Sequence, residues 1–146
     1  MFVWLENNML NVAYNQNDIP QNIQVIEIDT GDITPVPPPH AYITISNGQI
    51  IRKTSQETFQ WFQQQKLQQL DNYVTSLLQP TDYIVVKLSE AYLSNNNTLE
   101  TLQSKYITQL QYRQSIRDWN DKMKQTINNS TTIEQLNAIV IQYQGA

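Results

Sequence analysis

Residues 42–57 read Tyr42-Ile43-Thr44-Ile45-Ser46-Asn47-Gly48-Gln49-Ile50-Ile51-Arg52-Lys53-Thr54-Ser55-Gln56-Glu57, and the change of character inside them decides the fold. The first part is two β-branched runs flanking Asn-Gly. Both central residues of a tight hairpin turn need φ > 0, which Asn and Gly tolerate best, so this spacing predicts a hairpin of residues 42–45 with residues 49–51. In the second part Thr54 is followed three residues later by Glu57, the spacing of a capping box. Behind it Phe59, Phe62, Leu67, Leu70, Val74, Leu77 and Leu78 recur at near-helical intervals. Strand chemistry ends and helix chemistry begins near Arg52.

Upstream, the chain reads as strands and turns. Phe2 to Leu5 is aromatic and aliphatic, the polar tetrad Glu6-Asn7-Asn8-Met9 suits a turn, and Leu10 to Tyr14 suits a returning strand. A polar loop, Asn15 to Asn22, leads to the β-branched run Ile23 to Ile28, with Ile23, Val25 and Ile28 expected to face inward. Thr34 to Pro39 holds four of the six prolines. Such a segment is stiff and extended and cannot sit inside a sheet.

Downstream, the chain reads as helices. Pro80 closes the first, because the residue before a proline avoids the α region. Thr81 is placed to cap a second helix with Asp82 in its first turn and Tyr83, Val86, Leu88 and Ala91 inward. After the loop Ser94-Asn95-Asn96-Asn97, Asn97 or Thr98 caps one long helix with the stripe Leu99, Leu102, Tyr106, Leu110, Ile116, Trp119, Met123 and Ile127. Asn128-Asn129-Ser130 breaks it. Thr131 and Glu134 form a second capping-box match, and Ile133, Leu136, Val140 and Tyr143 line a last helix. The expectation is an α+β chain: residues 1–53 a small antiparallel β unit with a Pro-rich spacer, residues 54–146 an α-helical hairpin or bundle.

Composition removes several function classes. Of 146 residues 40% are hydrophobic and only 15% charged, and close to a quarter are Asn or Gln. With three Gly, loop positions at φ > 0 must be few or fall to Asn. The absence of Cys rules out disulfides, thiolate metal sites and a cysteine nucleophile. The lone His40 follows three prolines, so no multi-histidine metal site can form within one chain. There is no Gly-rich phosphate loop, G-x-S-x-G or H-E-x-x-H. The acids Glu27, Asp29 and Asp32 lie at a strand end and turn, where carboxylates serve local hydrogen bonds. We expect no enzyme and no cofactor or metal.

A net charge of −4 disfavours nucleic acid as the main partner. The basic residues Lys105, Arg113, Arg117, Lys122 and Lys124 suit a solvated helix face paired with Asp118 and Asp121. Gln63-Gln64-Gln65 with Gln68-Gln69 suits another such face. No apolar run approaches a membrane span of ~18 residues. Met1 to Glu6 lacks the basic start and long apolar stretch of a signal peptide, so a non-exported chain is expected.

Two features stand out from this background. Arg113 and Arg117 lie at i and i+4 of one helix, and Asp82 lies at the start of another. If those helices are neighbours, Asp82 would pair with Arg113 or Arg117 and set their register. Phe2, Trp4 and Tyr14 are aromatic enough to anchor a partner, or else they form the core of the β unit.

The first of these features carries a family resemblance. Leu78-Gln79-Pro80-Thr81-Asp82-Tyr83, a helix reaching Glu90-Ala91, and then Tyr112-Arg113-Gln114-Ser115-Ile116-Arg117-Asp118 resemble the C-terminal region of phage tail-fibre assembly chaperones and related small tail proteins. Members carry an L-x-x-T-D-[YW] element and, downstream, Y-R-Q-x-[IL]-R-D. The resemblance covers about residues 55–120 in motif. Elsewhere it is one of layout, a small β unit with an Asn-Gly turn. Members usually stop soon after the second arginine, whereas here Thr131 to Tyr143 follows. The resemblance implies a non-enzymatic virion morphogenesis protein that binds a viral fibre, tail or capsid protein. It would act as a chaperone or adaptor in the host cytoplasm during assembly, or persist in the virion as a head-fibre, neck or tail subunit. A homo-oligomer is a further expectation.

Overall fold

The computed structural model describes residues 1–7, 9–30, 36–94 and 98–145. Its strands are β1 (Phe2–Glu6), β2 (Met9–Ala13), β3 (Val25–Glu27), β4 (Ile43–Ser46) and β5 (Gln49–Arg52). Its helices are α1 (Ser55–Leu78), α2 (Asp82–Leu93), α3 (Leu99–Lys105), α4 (Ile107–Asn128) and α5 (Ile133–Ala138). The fold is α+β, with a small antiparallel β region followed by helices. Asn8, Asp32, the first part of the Pro-rich segment and the Asn97 cap lie outside the described residues.

The chain forms two units, Met1–Phe62 and Gln63–Ala146, so the division falls inside α1 rather than before Thr54. The physical reason is the side-chain chemistry of the first turns of α1. Phe62 meets the Tyr42 ring at 6.1 Å and Trp61 meets His40 at 5.4 Å, which ties those turns to the β unit.

In the first unit β1 is the central strand of a three-stranded sheet, order β2-β1-β3. Phe2 lies opposite both Ala13 and Glu27, and Trp4 opposite both Asn11 and Val25. Sheet pairing at Val25–Glu27 is shorter than the Ile23–Ile28 run suggested. Ile26 and Ile28 pack in the core cluster of the unit, whereas Ile23 and Val25 are half buried outside it, Val25 opposite Trp4. Strand alternation explains this, since Ile26 shares a face with Val3, its partner on β1. Val3, Ile28 and Ile43 form the core, with Met1, Leu10, Ile26, Tyr42 and Ile50 packed on it. β4 and β5 make the Asn-Gly hairpin, with Asn47 and Gly48 at φ of 52° and 72°. Asn7 and Asn22 are also at positive φ, so Asn does take turn positions that Gly fills elsewhere. Pro38 is in the polyproline region, and Pro39–Ala41 makes a 3-10 turn.

The Thr54 capping box is complete. The Glu57 carboxylate accepts from the Thr54 N–H at 2.7 Å and from its hydroxyl at 2.8 Å, and the Thr54 hydroxyl accepts from the Glu57 N–H at 3.2 Å.

In the second unit α1 and α4 are antiparallel. Gln63 Nε2 donates to the Ile127 carbonyl (3.2 Å), Lys124 pairs with Asp71 (3.0 Å), Tyr73 packs on Trp119, and Arg113 reaches Leu78. These contacts run in opposite order along the two helices. Lys124 thus finds its acid across the helix pair, not in Asp118 or Asp121. Leu70, Ile84, Ile116, Ile127 and Leu136 are fully buried.

Four expectations change here. Ile84, not Tyr83 or Val86, is the buried residue of α2 beside Ala91, and Tyr83 and Val86 are about half exposed. The single helix from Leu99 to Ile127 is two, broken at Tyr106, whose φ of −107° and ψ of 13° leave the helical range. An i, i+3, i+4 pattern runs through such a break unchanged, so periodicity cannot report it. The last cap is Thr132, whose side chain accepts from the Gln135 N–H, one residue later than Thr131.

The last helix also stops at Ala138. Beyond it Ile139, Ile141 and Tyr143 are half buried while Val140 and Gln142 are exposed, an extended period of two. Three consecutive β-branched residues, Ile139-Val140-Ile141, favour that extension over a helix. The Tyr143 ring lies against Tyr112 and Trp119, and its hydroxyl is 2.6 Å from Ser115 Oγ.

Two outcomes follow. Leu136→Ala lowers unfolding free energy in urea by about 2–4 kcal/mol, whereas Val140→Ala, at a site 73% exposed, changes it by less than about 0.5 kcal/mol. Equal effects would restore the helical reading of the tail. The capping bonds from Thr54 hold the Glu57 carboxyl below the usual carboxylate range. That stabilisation is present above the unfolded pKa and lost as pH falls through the folded one. An NMR titration finds a depressed Glu57 midpoint in the native chain and a smaller depression in Thr54→Ala, which keeps the Thr54 N–H bond and loses only the hydroxyl bond.

Candidate functional site: the arginine clamp at the helical turn

A helix end leaves carbonyls without intrahelical partners, and α1 ends at Leu78 just before Pro80, which offers no N–H. The 3-10 turn Gln79–Thr81 then leads directly into α2. Arg113, on α4, fills this need. Its Nη1 donates to the Leu78 carbonyl at 2.8 Å and to Thr81 Oγ1 at 2.7 Å, and its Nη2 pairs with Asp82 Oδ1 at 2.9 Å. Thr81 itself donates to the Leu78 carbonyl at 2.9 Å. Thr81 is therefore not the side-chain cap of α2, because its hydroxyl is spent on the turn.

The electrostatics agree at each end. A cation beside the C-terminus of α1 and an anion in the first turn of α2 both oppose the local helix dipole. The Arg113 side chain is 6% exposed and that of Asp82 60% exposed, so the arginine is the buried member. Arg117, one turn further, is exposed and outside this set of bonds. Four residues are 400°, so Arg117 sits about 40° round the helix from Arg113, on the side away from the buried Ile116 and Ile127.

The aromatic candidates divide. Trp4 is buried, 6% exposed, with its indole N–H unpartnered among the described residues, so packing alone holds it. Phe2 is half buried beside it on β1. Only Tyr14, 70% exposed, is free to meet a partner. Among the described residues no group of three His, Cys, Asp or Glu is placed to hold a metal ion. His40 is exposed, edge-on to Trp61, and its carbonyl accepts from Lys53 Nζ. No helix among the described residues is long and apolar enough to cross a membrane. The residues that periodicity missed, Ile84 and the tail contacts of Tyr143, depend on neighbours far along the chain. For the tail the one signal was the aromatic pattern of Tyr112, Trp119 and Tyr143.

No family model, curated protein or solved structure matches the chain.

Arg113→Met leaves the half-buried Leu78 carbonyl and Thr81 hydroxyl with fewer partners and costs about 1–3 kcal/mol. Asp82→Asn, at an exposed carboxylate, costs about 1 kcal/mol or less. In denaturant melts the double variant is no less stable than Arg113→Met alone, because the carboxylate acts only through the arginine. Additive losses would separate the two.

Proposed function

We propose that this protein is a non-enzymatic bacteriophage morphogenesis protein that binds a viral fibre or tail protein, as a tail-fibre assembly chaperone or adaptor. One observation carries the reading. Leu78, Thr81 and Asp82 come from the L-x-x-T-D-Y element and Arg113 from the Y-R-Q-x-I-R-D element, and all four meet in one set of bonds. The bonds join the Thr81 and Asp82 side chains of one motif to the Arg113 side chain of the other, which supports reading the two as parts of one structural joint.

The same geometry assigns these residues a scaffold role. Arg113 closes the turn, while Ser115 and Trp119 hold the Tyr143 tail. Partner contact then falls to exposed groups, and Tyr14 at the end of β2 is the aromatic anchor best placed for it. The protein would work in the host cytoplasm during assembly.

The test is co-expression with the fibre and tail proteins of the same phage. The expected result is co-purification with one of them and a raised yield of its folded form. Tyr14→Ala weakens that capture about tenfold or more, as loss of an aromatic hot spot does, with the helical circular dichroism unchanged. Mass spectrometry of purified particles then finds the chain absent or substoichiometric. A symmetric copy number would instead make it a permanent head-fibre, neck or tail subunit. Capture of neither protein, with no effect on their folding, overturns the proposal.

A further inference from the structure

Among the described residues the outer edge of β2 has no partner strand, and the hydrogen-bond pattern says which groups it presents. The Ile28 N–H donates to the Met1 carbonyl at 2.7 Å, so Met1 and Val3 turn their backbone groups toward β3. By alternation Phe2, Trp4 and Glu6 turn theirs toward β2. Their opposite numbers Ala13, Asn11 and Met9 are bonded to β1, and Leu10 and Val12 aim N–H and C=O outward. No backbone group among the described residues meets them.

Sheet edges are ordinarily blunted by charge, proline, bulges or shortness. The outer edge of β3 is blunted: the strand has three residues, and the Arg52 guanidinium covers the Glu27 carbonyl. β2 has none of these devices. It is five residues, Met-Leu-Asn-Val-Ala, uncharged, without proline, in unbroken register with β1, and Met9 and Val12 are 65% and 38% exposed.

We infer that β2 pairs antiparallel with β2 of a second copy of this chain, about a two-fold axis at Asn11. In that register Leu10 lies opposite the second copy's Val12 and Val12 opposite its Leu10. Each such pair exchanges two bonds, so all the outward groups of Leu10 and Val12 on both copies are satisfied. Leu10 and Val12 share the face of Val3, so apolar side chains meet apolar side chains, and Met9 meets Ala13 on the other face. The strand carries no charge, so no like charges face each other across the paired strands. A foreign strand would have to reproduce this alternation, whereas the copy has it by identity. The product is one six-stranded sheet with closed symmetry. This inference does not rest on the phage reading, and either can fail alone.

The chain has no cysteine, which makes the register directly testable. In the paired dimer Asn11 faces the second copy's Asn11 as a non-hydrogen-bonded pair, Cα atoms about 4.5 Å apart, inside the range of roughly 4.4–6.8 Å for a disulfide. Under mild oxidation Asn11→Cys in the full chain forms a covalent dimer. Met9→Cys, about 13 Å from its own copy in this register, stays monomeric. In sedimentation the wild-type chain is a dimer, and Val12→Pro, which removes an outward N–H that β1 does not use, is a monomer with unchanged circular dichroism. Should Val12→Pro misfold, Val12→Lys serves in its place. A wild-type monomer at the highest soluble concentration overturns the inference. So does cross-linking of Met9→Cys equal to that of Asn11→Cys, or a dimer indifferent to both Val12 variants. If the β2 amides gain exchange protection only when a fibre or tail protein is added, the edge belongs to that protein's strand and the dimer is refuted.

Discussion

The helical unit depends on how α1 is allowed to stop. A proline two residues beyond Leu78 removes a donor where the last carbonyls need one, and the chain turns at once into α2. The guanidinium of Arg113 supplies the missing donors from another helix. Its rigid fork suits this role, since one nitrogen can serve the Leu78 carbonyl and the Thr81 hydroxyl while the other holds Asp82. A lysine would bring the charge without the fork. Because α4 must present Arg113 at that level, the antiparallel register of α1 and α4 is set from this end. The Tyr73–Trp119, Asp71–Lys124 and Gln63–Ile127 contacts follow along the pair.

The amide-rich, charge-poor composition shapes how the rest is held. Few ion pairs are available, and the two found among the described residues both tie α4 to the α1–α2 hairpin rather than decorating one helix. Amides and hydroxyls take over the usual duties. Gln135 reaches back to the Thr131 N–H, Gln63 satisfies the Ile127 carbonyl, and Asn residues occupy left-handed turn positions. Neutral surfaces built this way also lack the charges that normally keep sheet edges apart, and β2 is one strand without any.

Sequence patterning reached far into this fold wherever the signal was local. The Asn47-Gly48 turn needs only two residues that tolerate φ > 0, and the Thr54–Glu57 box only residues three apart, so both could be read directly. The Asp82–Arg113 pairing was legible because acid and base each stood at a helical position that suited it. The choice between Arg113 and Arg117 was not, because a 40° rotation about the helix axis matters only once a neighbour exists. Val140 looked inward on a helical wheel and is exposed, because the segment is extended and its period is two.

What the sequence by itself determined is the α+β class, the hairpin, the Thr54 capping box, the end of α1 and the absence of thiol chemistry, all properties of residues within a few positions of each other. Tertiary structure decided that β1 is the central strand, which buried Trp4 and left the open edge to β2. It decided that α1 begins with the β unit, that the long helix breaks at Tyr106, and that the tail lies extended against Tyr112, Ser115 and Trp119. Each of these outcomes turns on contacts between residues tens of positions apart. Local propensity is nearly indifferent among the alternatives, and the burial of a shared apolar face selects one.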